Sequence, residues 1–141
     1  MGRDIHVKIL IKNEDKWEEV LLYNKIRGKF EEIEVYPYRN YTLFDILNEK
    51  TDENYNIARP IVLEKLPKEV KKDIKIWQEL YGCYGFKEVN LADLKLYFKE
   101  NDDNLNPIKY FIERIDQYID FAIDPWNLRD SDVKILYWFD C

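Results

Sequence analysis

Histidine occurs once and cysteine twice, and that scarcity removes whole classes of chemistry. Cys83 and Cys141 are too few and too unpatterned for a disulfide framework or a four-ligand zinc site, and a reducing cytoplasm suits them best. His6 is the sole imidazole and lies far from Cys83 in sequence, so a histidine-activated cysteine nucleophile is a minor reading, and Cys141 is a chain-end thiol. Only four glycines are present, and they form no Gly-rich phosphate loop; nucleophile-elbow, His-Glu-x-x-His and paired Cys-x-x-Cys motifs are missing as well. No stretch approaches the roughly eighteen apolar residues of a membrane span. The opening carries Arg3, Asp4 and Lys8 where a secretory leader would be apolar, so neither span nor leader is expected.

Positive charge is also in deficit, with 22 Lys and Arg against 28 Asp and Glu, a net charge of −6. Binding to phosphate backbones draws on clustered cations, and the longest basic run, Lys71-Lys72, is flanked by Glu69 and Asp73. Direct nucleic-acid binding is therefore not expected. An acidic surface suits docking on a basic one, including the nucleic-acid groove of another protein.

What the chain does have is hydrophobic bulk: 46% hydrophobic residues, with four Trp, eleven Tyr and seven Phe. A chain of 141 residues buries roughly 68–70% of its unfolded surface, enough for one aromatic-rich core and a single domain over 1–141. The tyrosines exceed what a core needs, which leaves some for the surface and for a partner.

Periodicity orders the elements. Ile5, Val7, Ile9 and Ile11 alternate with Asp4, His6, Lys8 and Lys12, which predicts a strand with Asp4 and His6 on one side. A polar turn at 13–16 leads to a second strand over Trp17–Tyr23, and Phe30–Tyr36 reads as a third with a glutamate-rich face. Asn40 or Thr42 caps a short helix through Lys50 with Tyr41, Phe44 and Leu47 on its buried stripe. Thr51–Leu66 reads as loop, with a brief edge strand possible in Ile61-Val62-Leu63 after Pro60. Pro67 opens a helix with Val70, Ile74, Trp77 and Tyr81 on one face, ended by Gly82. Asn90 caps another, carrying Leu91, Leu94, Tyr97 and Phe98 inward, and Asn106-Pro107 opens the longest, ending near Ile123. Val133, Ile135, Tyr137 and Phe139 alternate in a closing strand. The expected fold is α+β: a single antiparallel or mixed sheet with the N- and C-terminal strands adjacent and three to four helices packed on one face.

Two groups of residues are candidates for function. If the closing strand lies antiparallel to the first, Asp140 joins Asp4 and His6 on one face. Such a set resembles a facial metal triad or a carboxylate-oriented general base, against the alternative of local capping and hydrogen bonding. Arg39, with Tyr41 beside it, either holds an anion such as a nucleotide phosphate or pairs with Asp4 or Asp140 to fix the joint between sheet and helix. The second group, Tyr81, Cys83, Tyr84 and Phe86, reads as an aromatic loop suited to a protein interface or tucked beneath itself.

The opening Met1-Gly2-Arg3-Asp4-Ile5-His6 resembles that of a family of small phage and bacterial proteins beginning Met-Gly-Cys-Asp-Ile-His. Arg39-Asn40-Tyr41 with Leu43-Phe44, then Leu66-Pro67, then Asp132-Val133-Lys134 with Trp138-Phe139-Asp140 are similar to further family segments spread along the chain. Where relatives carry a His-Ser-His cluster this chain has Gly82-Cys83-Tyr84-Gly85-Phe86, so chemistry needing those histidines is not expected. The resemblance implies no agreed reaction and no cofactor. It implies a phage or mobile-element origin and a binding role on a host protein in the host cytoplasm, such as inhibition of a defence system like CRISPR. The alternative is a nucleotide or phosphometabolite binder, or a metal-assisted hydrolase, using Asp4, His6 and Arg39. Oligomeric state is not legible.

Overall fold

The alternation at the start of the chain becomes β1 (Ile5–Asn13) in a computed structural model that describes residues 4–31, 34–47, 58–100, 106–122 and 128–140. β1 turns back at Glu14, whose φ of 58° places it in the left-handed region of a two-residue turn, into β2 (Lys16–Glu19). On its other edge β1 pairs antiparallel with the closing strand, from Ile5 opposite Phe139 to Ile11 opposite Val133. With β5 (Ala58–Pro60), β6 (Tyr84–Asn90) and β7 (Val133–Phe139) these form one antiparallel sheet, in the order β2-β1-β7-β6-β5. The expected adjacency of the first and last strands is therefore present.

Helices cover both faces. α1 (Tyr41–Asp45), α3 (Leu91–Glu100) and α4 (Asn106–Ala122) pack over Ile5, Val7 and Ile9 of β1 and Ile135, Tyr137 and Phe139 of β7. Three helices on one face is the expected arrangement, but α2 (Lys68–Leu80) lies on the other. The physical reason is that the second face of the central strands is apolar too. Leu10, Leu136 and Trp138, at most 1% exposed, sit under Val70 and Ile74 of α2. Burying side chains of this size stabilises by about 1.5–3 kcal/mol each. Lys8, only 3% exposed, is held beneath the same helix by Asp73 at 2.8 Å and Glu19 at 3.1 Å.

Several boundaries differ from the sequence reading. The stretch expected as one strand over Trp17–Tyr23 divides into β2 and β3 (Leu22–Asn24), and β3 pairs with β4 (Lys29–Glu31) in a separate two-stranded sheet. The third strand thus stops at Glu31; Glu34–Tyr36 is not strand, and residues 32 and 33 lie outside the described residues. Val35 and Tyr36 are buried without it, and Arg114 Nε of α4 donates to the Val35 carbonyl at 3.1 Å. The edge strand falls at Ala58–Pro60, before the apolar run, with Leu63–Lys65 a 3-10 turn. β6 was not anticipated: its residues are mostly half-buried, and a register shift between Tyr84 and Lys87 breaks the period of two.

The caps are those the sequence indicates. Asn40 Oδ1 accepts the Leu43 amide at 3.1 Å, Asn90 Oδ1 accepts the Ala92 amide at 2.9 Å, and Gly82 follows α2 at φ +62°. Residues 48–50, the expected end of the first helix, 51–57 of the expected loop, Ile123 and Cys141 lie outside the described residues.

Candidate functional site

The β1–β7 register brings Asp4 opposite Asp140 and His6 opposite Trp138, all on the face that carries α2. The Asp140 amide donates to the Asp4 carbonyl at 3.1 Å, and the Asp4 amide donates to Asp140 Oδ1 at 3.1 Å. Asp140 Oδ2 lies 2.6 Å from His6 Nε2. An ionised carboxylate only accepts, so this contact fixes Nε2 as the protonated ring nitrogen. One side chain thus closes the strand end and orients the imidazole.

Arg39 takes the pairing role among the two readings weighed for it. Its Nε donates to Asp4 Oδ1 at 2.6 Å and its Nη2 to Oδ2 at 3.5 Å, with both side chains about half exposed. The hydrogen bond from Arg39 holds the Asp4 carboxyl below its ordinary 3.8, against a smaller opposing effect of desolvation. Tyr41 is 47% exposed rather than on the buried stripe of α1, and its ring meets Phe44 edge-on. Among the described residues no group of three or more His, Cys, Asp and Glu is arranged to hold a metal ion. Asp4 faces Arg39 and Asp140 faces His6, so the sequence-level triad exists as two linked pairs.

His6 is also part of an aromatic cluster. Its ring centroid lies 4.3 Å from that of Trp77 and 5.9 Å from that of Trp138. Phe86 stacks on Trp138 at 5.4 Å, and Tyr81 lies 4.8 Å from Trp77. Trp77 and Trp138 are themselves 6.3 Å apart, so the imidazole and the two indoles form a triangle, flanked by Phe86 and Tyr81. Tyr81 is 61% exposed, whereas Cys83 is half-buried in the α2-side core and its amide donates to the Trp77 carbonyl at 3.3 Å. Tyr84 packs against Phe139 on the opposite face. Tyr84 and Phe86 are strand residues rather than a loop tip, so the four do not form one surface.

An open cleft of about 410 Å³ lies beside this cluster, lined by His6, Val7, Glu34, Asp73, Trp77 and Trp138. Indole and imidazole faces share this lining with two carboxylates, Glu34 and Asp73, the second already paired with Lys8. Sequence reasoning assigned Trp77 to a buried stripe and passed over Glu34, Asp73 and Trp138. The available signal was that Trp77 and Tyr81 prolong the apolar stripe of α2 to the very end of the helix.

Comparison with protein-family models, with curated proteins and with solved structures returns no match. No helix among the described residues is long and apolar enough to cross a membrane.

Proposed function

We propose that this chain is a small non-enzymatic binding protein that accepts a cationic side chain of a basic partner segment in the cleft between α2 and the β1–β7 strand ends. The observation that carries this reading is the pairing of ring faces with carboxylates: His6, Trp77 and Trp138 stand in one concave surface with Glu34 and with Asp73, whose Oδ2 also holds Lys8 at 2.8 Å. A guanidinium or ammonium gains both from an indole face and from a nearby carboxylate. The net charge of −6 favours approach to a basic surface. The resemblance to phage proteins supports a host protein in the host cytoplasm as the partner. Defence machinery such as CRISPR effectors, whose nucleic-acid grooves are basic, is the chemistry that fits.

Titration of an Arg-rich peptide and of its Arg-to-citrulline counterpart, followed by tryptophan fluorescence, tests this. Saturable binding of the charged peptide alone, weakened about tenfold or more in Trp77→Ala, is the expected result. Equal binding of both peptides, or no binding at low salt, would overturn it. The ligand-binding alternative around Asp4, His6 and Arg39 has less support, because the Arg39 fork is already occupied by Asp4.

A further inference from the structure

The opposite end of α2 has the reverse chemistry. There a smaller cleft of about 220 Å³ is lined by Trp17 of β2, Arg59 of β5, Glu88 of β6, Lys134 of β7 and Lys65 of the 3-10 turn, among others. Three cations around one carboxylate form a positive concavity on an acidic protein, which concentrates anions. A second cleft of about 380 Å³ shares Trp17 and Lys65 with it, adds Lys16, and reaches Leu66 and Pro67 at the start of α2. Pro67 caps that helix without a side-chain hydrogen bond, and Asp15 also lines this second cleft.

Glu88 is the observation that turns a basic patch into a site. Its side chain is 8% exposed, yet its nearest cations are distant for hydrogen bonds: Arg59 Nε at 3.7 Å and Lys134 Nζ at 3.8 Å, both from Oε1. Oε2 is buried and has no hydrogen-bond partner. Buried carboxylate oxygens are ordinarily satisfied, and the terminal torsion of a glutamate is soft enough to turn either oxygen toward a donor. Lys134 is itself held 4.4 Å over the Trp17 ring rather than close against Glu88.

We propose that this cleft binds a small phosphorylated polyol: Arg59, Lys65 and Lys134 hold the phosphate, and Glu88 accepts the ligand hydroxyls. A volume near 220 Å³ is below the range of drug-sized ligand pockets, about 300–1,000 Å³, and suits a ligand the size of a sugar phosphate. Burial lowers the Lys134 pKa from 10.5; Glu88 opposes this, while Arg59 and Lys65 add to it. A bound phosphate would replace some of the water that the ammonium has lost.

Calorimetric titration at low ionic strength with ribose 5-phosphate, inorganic phosphate and ribose tests the assignment. Ribose 5-phosphate should bind saturably and more tightly than inorganic phosphate, and ribose should not bind. Arg59→Gln and Lys65→Gln, both at exposed positions, should each weaken the ester about tenfold. Glu88→Leu, which removes both acceptor oxygens at similar volume, should erase the preference for the ester over inorganic phosphate while leaving phosphate bound. Failure of ribose 5-phosphate to bind at about 5 mM, equal affinity for ester and phosphate in the unaltered protein, or indifference to Arg59→Gln and Lys65→Gln would each overturn the proposal.

Discussion

Asp140 Oδ2 meets His6 Nε2 at 2.6 Å across 134 residues of chain, while Oδ1 of the same carboxylate accepts the Asp4 amide. A single side chain therefore closes the end of the central strand pair and holds the imidazole against two indoles.

Removing that carboxylate should loosen both contacts at once. Asp140→Ala is expected to cost about 1.5–3 kcal/mol, since hydrogen bonds to charged groups lie in that range and the site is about three-quarters buried. Asp140→Asn keeps an acceptor for the Asp4 amide and should cost less. Urea denaturation with an unchanged m-value and a lowered midpoint checks both.

Asp4 sets a pH dependence of known sign. Its pKa is lower folded than its ordinary 3.8, so its stabilising contribution is complete above that value and is lost as pH falls through the folded pKa. The stability difference between the unaltered protein and Asp4→Asn should therefore shrink on acidification below about pH 3.8. Thermal unfolding across a pH series reads it directly.

Lys8 carries a charge where the helix lies on the sheet. Lys8→Ala strands Glu19 and Asp73 and should destabilise by about 2–4 kcal/mol, reduced from the fully buried case because Asp73 is 39% exposed. Lys8→Met, which fills the space with an apolar chain, should cost clearly less. Chemical denaturation of the two variants side by side distinguishes charge from packing.

Ile74 is fully buried between α2 and the sheet, so Ile74→Ala should cost about 2–5 kcal/mol. Hydrogen exchange should quicken along α2 more than along α4, because only α2 rests on that smaller core.

Gly82 has open space where a Cβ would stand, but its φ of +62° disfavours any side chain. Gly82→Ala should thus lower stability by about 1 kcal/mol through backbone conformation alone, with no steric rearrangement of neighbours in a crystal structure of the variant.

The parts legible in the sequence are those where one period dominates. Alternation in β1 and β7 gave both strands, and their parity put Asp4, His6 and Asp140 on one side. Spacing of Val70, Ile74 and Trp77 gave α2. Leu10, Leu136 and Trp138 were hidden because they occupy the nominally polar positions of those same strands. Two apolar faces mark an interior strand, but in so short a run they are hard to tell from noise. β6 escaped because its register shift erases the alternation that would have revealed it. Arg39 on Asp4 was one of two readings, and only geometry chose between them. The clefts at the ends of α2 were invisible, because their residues come from up to five separate segments that no local pattern connects.

The pairing of β1 with β7 also dictates a timetable for synthesis. β1 leaves the ribosome first and its partner β7 last among the described strands, so the middle of the sheet stays open until almost all of this chain has emerged. During that interval β1 can pair with β2, and β6 with β5, each leaving a row of backbone N–H and C=O groups without its β7 partner. Completion is a late, long-range event, the kind of step that makes a newborn chain slow to mature and dependent on shelter from its neighbours.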